Sequence, residues 1–218
     1  MLKAERRKIL MRQLILRNII LVIFVLFFTS LGFAATNTEK YAVRLVKLEL
    51  YNNNTAGWVT VFNGGEASPS SELDIAAAAG SGQTVGTFFS GLAIPDGSYT
   101  KARATPSTSF VIRGQVNVGG TDYKTTSVQV DDGGGRTVST ASAIIASAQD
   151  CTVTVLAADM DQSASAGITF TGGPVTVTNG TADKKVKVFF NMSNCLTTNA
   201  PLNTVVYPGP PTVTMTAE

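Results

Sequence analysis

Short runs of β-branched and aromatic residues, separated by turn signals roughly every eight to twelve residues, constrain the fold of this chain most. Trp58–Phe62 ends at Asn63-Gly64-Gly65, and Gly119-Gly120 joins Ser109–Val118 to Thr121–Val130. Such runs favour pleated strands, and Asn-Gly or Gly-Gly pairs favour hairpin turns. The sequence has no long amphipathic helix pattern and no fixed-period repeat. It therefore predicts an all-β fold, an antiparallel β-sandwich of the transthyretin or immunoglobulin-like type.

Eight further segments have the composition of strands. They are Tyr41–Tyr51, Tyr99–Thr105, Ala143–Ala146, Cys151–Ala157, Gly167–Phe170, Pro174–Thr178, Lys185–Phe190 and Thr212–Ala217. The first is predicted as one strand, with Lys47, Glu49 and Tyr51 on the same face. The exception to the β pattern is a short helical turn near residues 71–80, capped by Ser70 or Ser71 and ended by Gly80. The Pro-rich segment Asn199–Pro211 is predicted to be a connection.

Residues 1–34 have the three parts of a secretory signal peptide. Six basic residues precede the apolar run Ile19–Phe28, and small residues lead to a predicted cleavage after Ala34. Residues 35–218 are then one β-sandwich domain that is secreted, periplasmic or at the cell surface. The alternative is a retained anchor, although about ten apolar residues fall short of the roughly 20 that span a bilayer. No second apolar run follows, so no membrane partner is expected after cleavage.

Charge and histidine content narrow the classes of function. The chain has 17 basic and 15 acidic residues, but 11 and 14 remain after residue 34, a net charge of about −3. This balance argues against a nucleic-acid partner. The chain also has no histidine, which excludes Ser-His-Asp and Cys-His catalysis and histidine-ligated metals. We expect no enzyme activity, no catalytic residue, no cofactor and no metal site. The loop acids Asp131-Asp132 and Asp159–Asp161 do not match a calcium motif and are predicted polar turns.

The chain has two cysteines, Cys151 and Cys195. An even, small number in an exported protein predicts a disulfide bond between them. Closing a loop of about 45 residues would stabilise the fold by roughly 3–4 kcal/mol in the chain-entropy model. The alternative is a redox-active thiol, but the sequence has no Cys-x-x-Cys pair and no charge cluster that would lower a thiol pKa.

One stretch of the chain has a recognisable order of motifs. Lys47-Leu48-Glu49-Leu50 is followed by Gly57-Trp58-Val59, then by Leu73-Asp74-Ile75, and then by Leu92-Ala93-Ile94-Pro95-Asp96-Gly97-Ser98-Tyr99 with Arg103. This order resembles the bacterial DUF4382 family of exported β-rich domains, most strongly over residues 46–105. The resemblance implies an extracytoplasmic sandwich and no established activity. It therefore assigns no catalytic residues.

Two residues in this stretch carry structural expectations. In the turn Pro95-Asp96-Gly97, glycine is expected to adopt a positive φ. Tyr99 is expected to bury its ring while its hydroxyl group bonds to the backbone. Trp58, the single tryptophan, is predicted to pack in the core or on the sheet, and the alternative is a platform for a sugar ring.

These observations predict an exported, non-catalytic sandwich that binds a ligand or a surface, or that has a structural role. A glycan and a cell-surface protein are the candidate partners. The first alternative is a subunit of an extracellular fibre or pilus, in which Thr212–Ala217 self-associates by completing the sheet of a neighbouring copy. The second alternative is a hydrolase that uses paired carboxylates.

Overall fold

The computed structural model describes residues 38–77, 92–157, 166–199 and 201–218. These residues form sixteen strands and no α-helix. The strands are β1 (Thr38–Val43), β2 (Leu45–Asn52), β3 (Gly57–Asn63), β4 (Leu73–Asp74), β5 (Gly97–Pro106), β6 (Ser109–Val118), β7 (Thr121–Asp131), β8 (Thr137–Ser142), β9 (Cys151–Thr154), β10 (Ile168–Thr171), β11 (Val175–Thr178), β12 (Thr181–Ala182), β13 (Val186–Asn191), β14 (Leu196–Thr198), β15 (Val205–Pro208) and β16 (Thr212–Ala217).

Two sheets pack together, as an all-β sandwich requires. The first sheet has the order β14-β15-β8-β7-β6-β1-β4, and β9 bridges β6 and β8. In the second sheet, β5 pairs with β2 on one side and with β10 and β11 on the other. Strand β3 lies beyond β2, and β16 and β13 lie beyond β10. All of these pairings are antiparallel except that of β10 with β16, which is parallel.

The run Tyr41–Tyr51 is two strands rather than the predicted single strand. It breaks at Arg44, where the chain leaves the first sheet as β1 and enters the second sheet as β2. The chain makes the reverse crossing at Ser107 and Thr108, between β5 and β6. Both crossings lie side by side, because the Ser107 amide donates to the Arg44 carbonyl at 2.8 Å. The sandwich is therefore closed along one edge by two covalent links.

Glu66 holds this edge together from a loop. Its carboxylate accepts hydrogen bonds from the Ser107 hydroxyl at 2.7 Å and from the Thr108 amide at 3.0 Å. These bonds hold the pKa of Glu66 below its usual range, the Ser107 hydroxyl contributing most. Where a chain leaves one sheet for another, its backbone N–H and C=O groups lose their partners in the ladder and need other acceptors or donors. Glu66 supplies acceptors where β5 ends and β6 begins.

One apolar core lies between the sheets. Tyr41, Ile112 and Val153 enter it from the first sheet, and Leu48, Tyr99 and Phe170 enter it from the second. Tyr99 is almost completely buried, and its hydroxyl donates to the Pro95 carbonyl at 2.8 Å. The expectation for Tyr99 is confirmed. Burial raises the pKa of this hydroxyl above its usual range, in line with a group that stays protonated.

The expectation of a positive φ at Gly97 is wrong. The φ of Gly97 lies outside the left-handed region. A side chain is excluded for another reason: a Cβ atom on Gly97 would overlap the amide group of Asn52. Asn52 is itself buried and ends β2, beside the start of β5. Glycine is needed here for close approach between neighbouring strands.

The predicted helical turn near 71–80 is wrong for the part that the structure describes. Leu73–Asp74 is β4, which pairs with β1, and the chain then bends without forming a helix up to residue 77. Residues 78–80 lie outside the described residues. The Asp74 carboxylate accepts from the amides of Tyr41 and Ala76 at 2.9 and 3.1 Å. Pairing with β1 therefore outweighs the weak helical propensity of the alanine run.

The predicted strand Ala143–Ala146 is also wrong. These residues form a bend, and the strand lies just upstream as β8. The predicted connection Asn199–Pro211 contains a strand that sequence analysis missed, β15, which pairs with β14 and β8. Short strands of three or four residues carry too few alternating positions to be separated from loops by their pattern.

Candidate binding face on the second sheet

Six side chains share the outer face of β2, β3 and β5, on the side of the sheet away from the core. Tyr51 lies directly opposite Trp58 on one side and Lys101 on the other, and Glu49 lies opposite Arg103. Residues that face each other across a ladder project to the same side of the sheet. We call this set the aromatic–cationic face: Lys47, Glu49, Tyr51, Trp58, Lys101 and Arg103.

Glu49 organises the charges of the face. Its side chain is only 9% exposed, and its two oxygens bind two cations. Arg103 Nε donates to Glu49 Oε2 at 2.6 Å, and Lys47 Nζ lies 2.9 Å from Oε1. The Arg103 hydrogen bond is the largest cause that lowers the pKa of Glu49 to about 2, against the opposing effect of burial. A carboxylate this acidic stays ionised at any physiological pH. It cannot act as the protonated acid of a glycoside hydrolase.

The two aromatic rings are held in place by neighbours on the same face. The Arg103 guanidinium lies 4.3 Å from the centre of the Trp58 ring, and Tyr51 meets Trp58 edge-on at 5.4 Å. Lys101 Nζ lies over the Tyr51 ring at 5.6 Å. Trp58 is half-buried, as the sheet-packing interpretation expects. Such cation–ring contacts contribute roughly 0.5–1 kcal/mol each at exposed sites.

Gly167 makes room for the indole. Its φ is +70°, and a Cβ atom there would overlap Trp58 Cη2 and lie 3.0 Å from the Ala102 carbonyl oxygen. Gly167 directly precedes β10, the strand that pairs with β5 beside Arg103. The absence of a side chain at Gly167 therefore leaves space for the end of the Trp58 ring.

The face has a local charge opposite to that of the domain. It carries three cations and one buried anion, whereas the chain after residue 34 has a net charge of about −3. Such a local reversal of sign attracts anionic groups to one patch of the surface. Sequence analysis placed Lys47, Glu49 and Tyr51 on one face, and this is confirmed. It missed Lys101 and Arg103, although both alternate with buried alanine on a predicted strand.

The other candidate ligand sites are poor. An apolar cavity of about 50 Å³ lies on the inner side of the same sheet, bordered by Leu48, Leu50 and Phe170, and sites for small organic ligands are several times larger. Asp131 and Asp132 accept backbone amides of their own turn at 2.8 and 2.9 Å, so the polar-turn interpretation fits them. The Asp159–Asp161 segment lies outside the described residues. Within the described ranges, no cluster of acids and cysteines could hold a metal ion.

The predicted disulfide bond is absent from the structure. Cys151 and Cys195 are both buried and are free thiols. The Cys151 thiol is directed at the Val128 and Thr152 carbonyls, at 3.9 and 3.8 Å, whereas the Cys195 thiol is directed at the Asn191 carbonyl at 3.8 Å. Burial raises the pKa of Cys195 to about 11 and that of Cys151 above its usual range. Apolar surroundings thus keep both groups protonated, which also disfavours the redox alternative.

The C-terminal strand of the fibre alternative is already paired within its own chain. Strand β16 forms six register pairs with β13 and a parallel pairing with β10. Met215 and Ala217 of this strand are buried in the core. Donation of β16 to a neighbouring copy would therefore leave β13 of the donor without a partner and would leave β10 paired with β5 alone.

Comparison with known proteins returned no matching family model, no matching curated protein and no matching solved structure. The resemblance to DUF4382 therefore stays a prediction. The predicted signal peptide, residues 1–34, lies outside the described residues. Within the part of the chain that the structure describes, no helix has the length and hydrophobicity to cross a membrane.

Proposed function

We propose that this protein is a non-catalytic binding domain that works outside the cytoplasm and binds acidic carbohydrate through the aromatic–cationic face. The observation that carries the proposal is the register that brings two aromatic rings and three cations onto one face of three adjacent strands. The aromatic rings carry Arg103 and Lys101 over their faces, so they hold these two cations in place for a ligand. Neighbouring cations supply partners for carboxylate or sulfate groups.

The arrangement suits binding better than catalysis. Glu49 is the acid of this face, and its ion pairs with Arg103 and Lys47 keep it ionised. Its role is to hold Arg103 against Trp58, so that the guanidinium keeps one position before a ligand arrives. Such preorganisation lowers the entropic cost of binding. The proposed location outside the cytoplasm rests on the signal-peptide pattern of residues 1–34.

The test compares an oligomer of uronic acid with a neutral oligosaccharide of the same length, by calorimetry on the purified chain. Lys101→Gln removes a cation that lies over Tyr51 and that needs no repacking of the core. We expect it to weaken binding of the acidic oligomer about fivefold, the effect of losing about 1 kcal/mol. Lys185→Gln is the matched control, because Lys185 is an exposed lysine of the same sheet system, beside β13.

Two results would overturn the proposal. Equal affinity for the acidic and neutral oligomers would show that the cations of the face do not contribute to binding. An equal loss of affinity in Lys185→Gln would show that overall charge, rather than this face, determines binding.

A further inference from the structure

Strand β3 is an edge of the second sheet, because among the described residues it pairs with β2 and with no other strand. We call the side of β3 that faces away from β2 the open edge. An edge strand has unpaired backbone groups that can pair with another chain, and proteins usually protect it with lysine, with proline or by keeping it very short. Strand β3 has seven residues, none of them charged and none of them proline.

The other edges of the two sheets have this protection. The edge strands β4, β12 and β14 have only two or three residues each. Strand β13 has six residues, but it carries Lys187, which pairs with Glu218. The open edge of β3 is therefore the longest uncharged edge in the part of the chain that the structure describes.

Two hydrogen bonds of β2 and its hairpin loop show which backbone groups point to which neighbour. The Val46 carbonyl accepts from the Gly64 amide at 3.0 Å, on the β3 side. The Asn53 amide donates to the Ser98 carbonyl at 2.7 Å, on the β5 side. The backbone groups of successive residues in a strand point to opposite neighbours. Even-numbered residues of β2 therefore bond to β3, and odd-numbered residues bond to β5.

Trp58 and Thr60 direct their backbone groups to the open edge. They lie opposite Tyr51 and Glu49, which are odd-numbered residues of β2 whose own groups bond to β5. A pair of this kind exchanges no hydrogen bonds within the β2–β3 ladder, so the N–H and C=O groups of Trp58 and Thr60 point away from β2. The open edge thus offers two donors and two acceptors.

The side chains of these two residues leave the open edge clear. The Trp58 ring extends over the sheet in the opposite direction, to the Arg103 guanidinium on β5 and to the space at Gly167. The Thr60 hydroxyl donates to Glu49 Oε1 on β2 at 3.3 Å. Both side chains contact residues inside the sheet, so the backbone of β3 is accessible from the edge.

We propose that the open edge pairs antiparallel with the open edge of a second copy of this chain, about a two-fold axis at Val59. In this register Trp58 of one copy lies opposite Thr60 of the other, so all the open groups of both copies form hydrogen bonds. Each large side chain also lies opposite a small one. A two-fold axis at Thr60 would instead set Trp58 opposite Phe62, which lies opposite Leu48 and bonds to β2.

The charges of the sheet permit this pairing. The nearest charged residues in the sheet are Lys47 and Glu49 on β2, and Lys101 and Arg103 lie one strand further from the edge. Neighbouring strands are about 4.8 Å apart, so the two copies of β2 would be about 14 Å apart. This separation exceeds the Debye length of about 8 Å at physiological ionic strength. A second copy therefore meets little repulsion at the open edge.

The pairing does not depend on the proposed function, but it changes the surface on which that function acts. A two-fold axis perpendicular to the sheet keeps the outer faces of both copies on the same side. The two aromatic–cationic faces would therefore lie side by side on one continuous sheet. Calorimetry with the acidic oligomer tests the face itself, whatever the result for the pairing.

The experiment combines sedimentation of the purified protein with cross-linking through introduced cysteines. Val59→Cys places two thiols opposite each other across the two-fold axis, in a non-hydrogen-bonded pair with Cα atoms about 4.5 Å apart, a separation that a disulfide bond spans. Thr60→Cys is the matched control, because residue 60 lies opposite residue 58 of the second copy. The native thiols are buried, so the wild type should form no cross-link.

We expect the wild type to dimerise reversibly as its concentration rises, since pairing along one strand buries less area than a standard interface. With dissolved oxygen and a copper catalyst, Val59→Cys should give disulfide-linked dimers and Thr60→Cys should stay monomeric. Thr60→Pro removes an N–H group that β2 does not use, so it should sediment as a monomer and keep the circular dichroism of the wild type.

Three results would each overturn the proposal. The first is a wild type that stays monomeric at every concentration. The second is cross-linking of Thr60→Cys as readily as Val59→Cys, which would indicate random collision or another register. The third is a folded Thr60→Pro variant that dimerises as the wild type does, which would place the contact elsewhere on the molecule.

Discussion

The ion pairs of Glu49 lead to a pH-dependent stability that a single substitution should remove. In the folded protein the pKa of Glu49 is about 2, against 4.5 for the free group. Lowering the pKa from 4.5 to about 2 corresponds to about 3 kcal/mol. Because the folded pKa is lowered, this stabilisation is present above pH 4.5 and is lost as the pH falls toward 2. We therefore expect Glu49→Gln to lower the free energy of unfolding by about 3 kcal/mol at pH 7.

The loss of this stabilisation in acid follows from the same two pKa values of Glu49. At pH 3 the stabilisation by Glu49 falls to about 1 kcal/mol, so the difference between wild type and Glu49→Gln should fall to less than half of its value at pH 7. Urea unfolding at pH 7 and at pH 3 measures both values. Glu66 also has a lowered pKa, but both proteins contain it, so its effect cancels in the difference.

The control for this prediction is Glu72→Gln. Glu72 pairs with Arg44 at 3.3 Å, and both side chains are well exposed. An exposed pair contributes at most about 1 kcal/mol, so this variant should lose little stability at either pH. If Glu49→Gln loses the same free energy at pH 7 and at pH 3, then ionisation of Glu49 is not the source of the stability and the reasoning is wrong.

Three further outcomes are expected. Gly167→Ala should lower the free energy of unfolding by about 2–4 kcal/mol, because the new Cβ atom would overlap Trp58 and the residue has a positive φ. Gly180 has a similar φ and open space around it, so Gly180→Ala should lower the free energy of unfolding by only about 1–2 kcal/mol. Urea unfolding of both variants measures the difference. Cys151 and Cys195 should react with a thiol reagent only after unfolding, and detection of no thiols in the unfolded, unreduced protein would contradict the free state. Tyr99→Phe should lower the free energy of unfolding by about 1–3 kcal/mol, measured by thermal unfolding, because the Pro95 carbonyl loses the Tyr99 hydroxyl as its donor.

Local patterns predicted most of the strands, because alternation and turn chemistry act over neighbouring residues. Trp58–Phe62, Tyr99–Thr105 and Thr212–Ala217 were found within two residues of their observed bounds. The switch between sheets at Arg44 was not predicted. The backbone on both sides of Arg44 is extended and keeps a mixed pattern of side chains, so the sequence carries no local sign of a change of partner.

The binding face could be predicted only in part for the same reason. The alternation along β2 places Lys47, Glu49 and Tyr51 on one face, and this needs no knowledge of pairing. Trp58 and Arg103 join them through the register of β2 with β3 and β5. Registers depend on contacts between distant segments, and a shift by one residue would move each side chain to the other face. One sign of the face that the sequence does carry is Glu49, an acidic residue in the middle of an otherwise apolar and basic run.

The most direct test of the account uses the single tryptophan as its own reporter. Trp58 lies in the aromatic–cationic face beneath Arg103, so a ligand that binds there must change its environment. The measurement is the emission of Trp58 during titration with an oligomer of uronic acid, followed in parallel by calorimetry. We predict a saturable change in emission with the dissociation constant found by calorimetry, and no change with the neutral oligomer. Binding detected by calorimetry without a change in Trp58 emission would contradict the account.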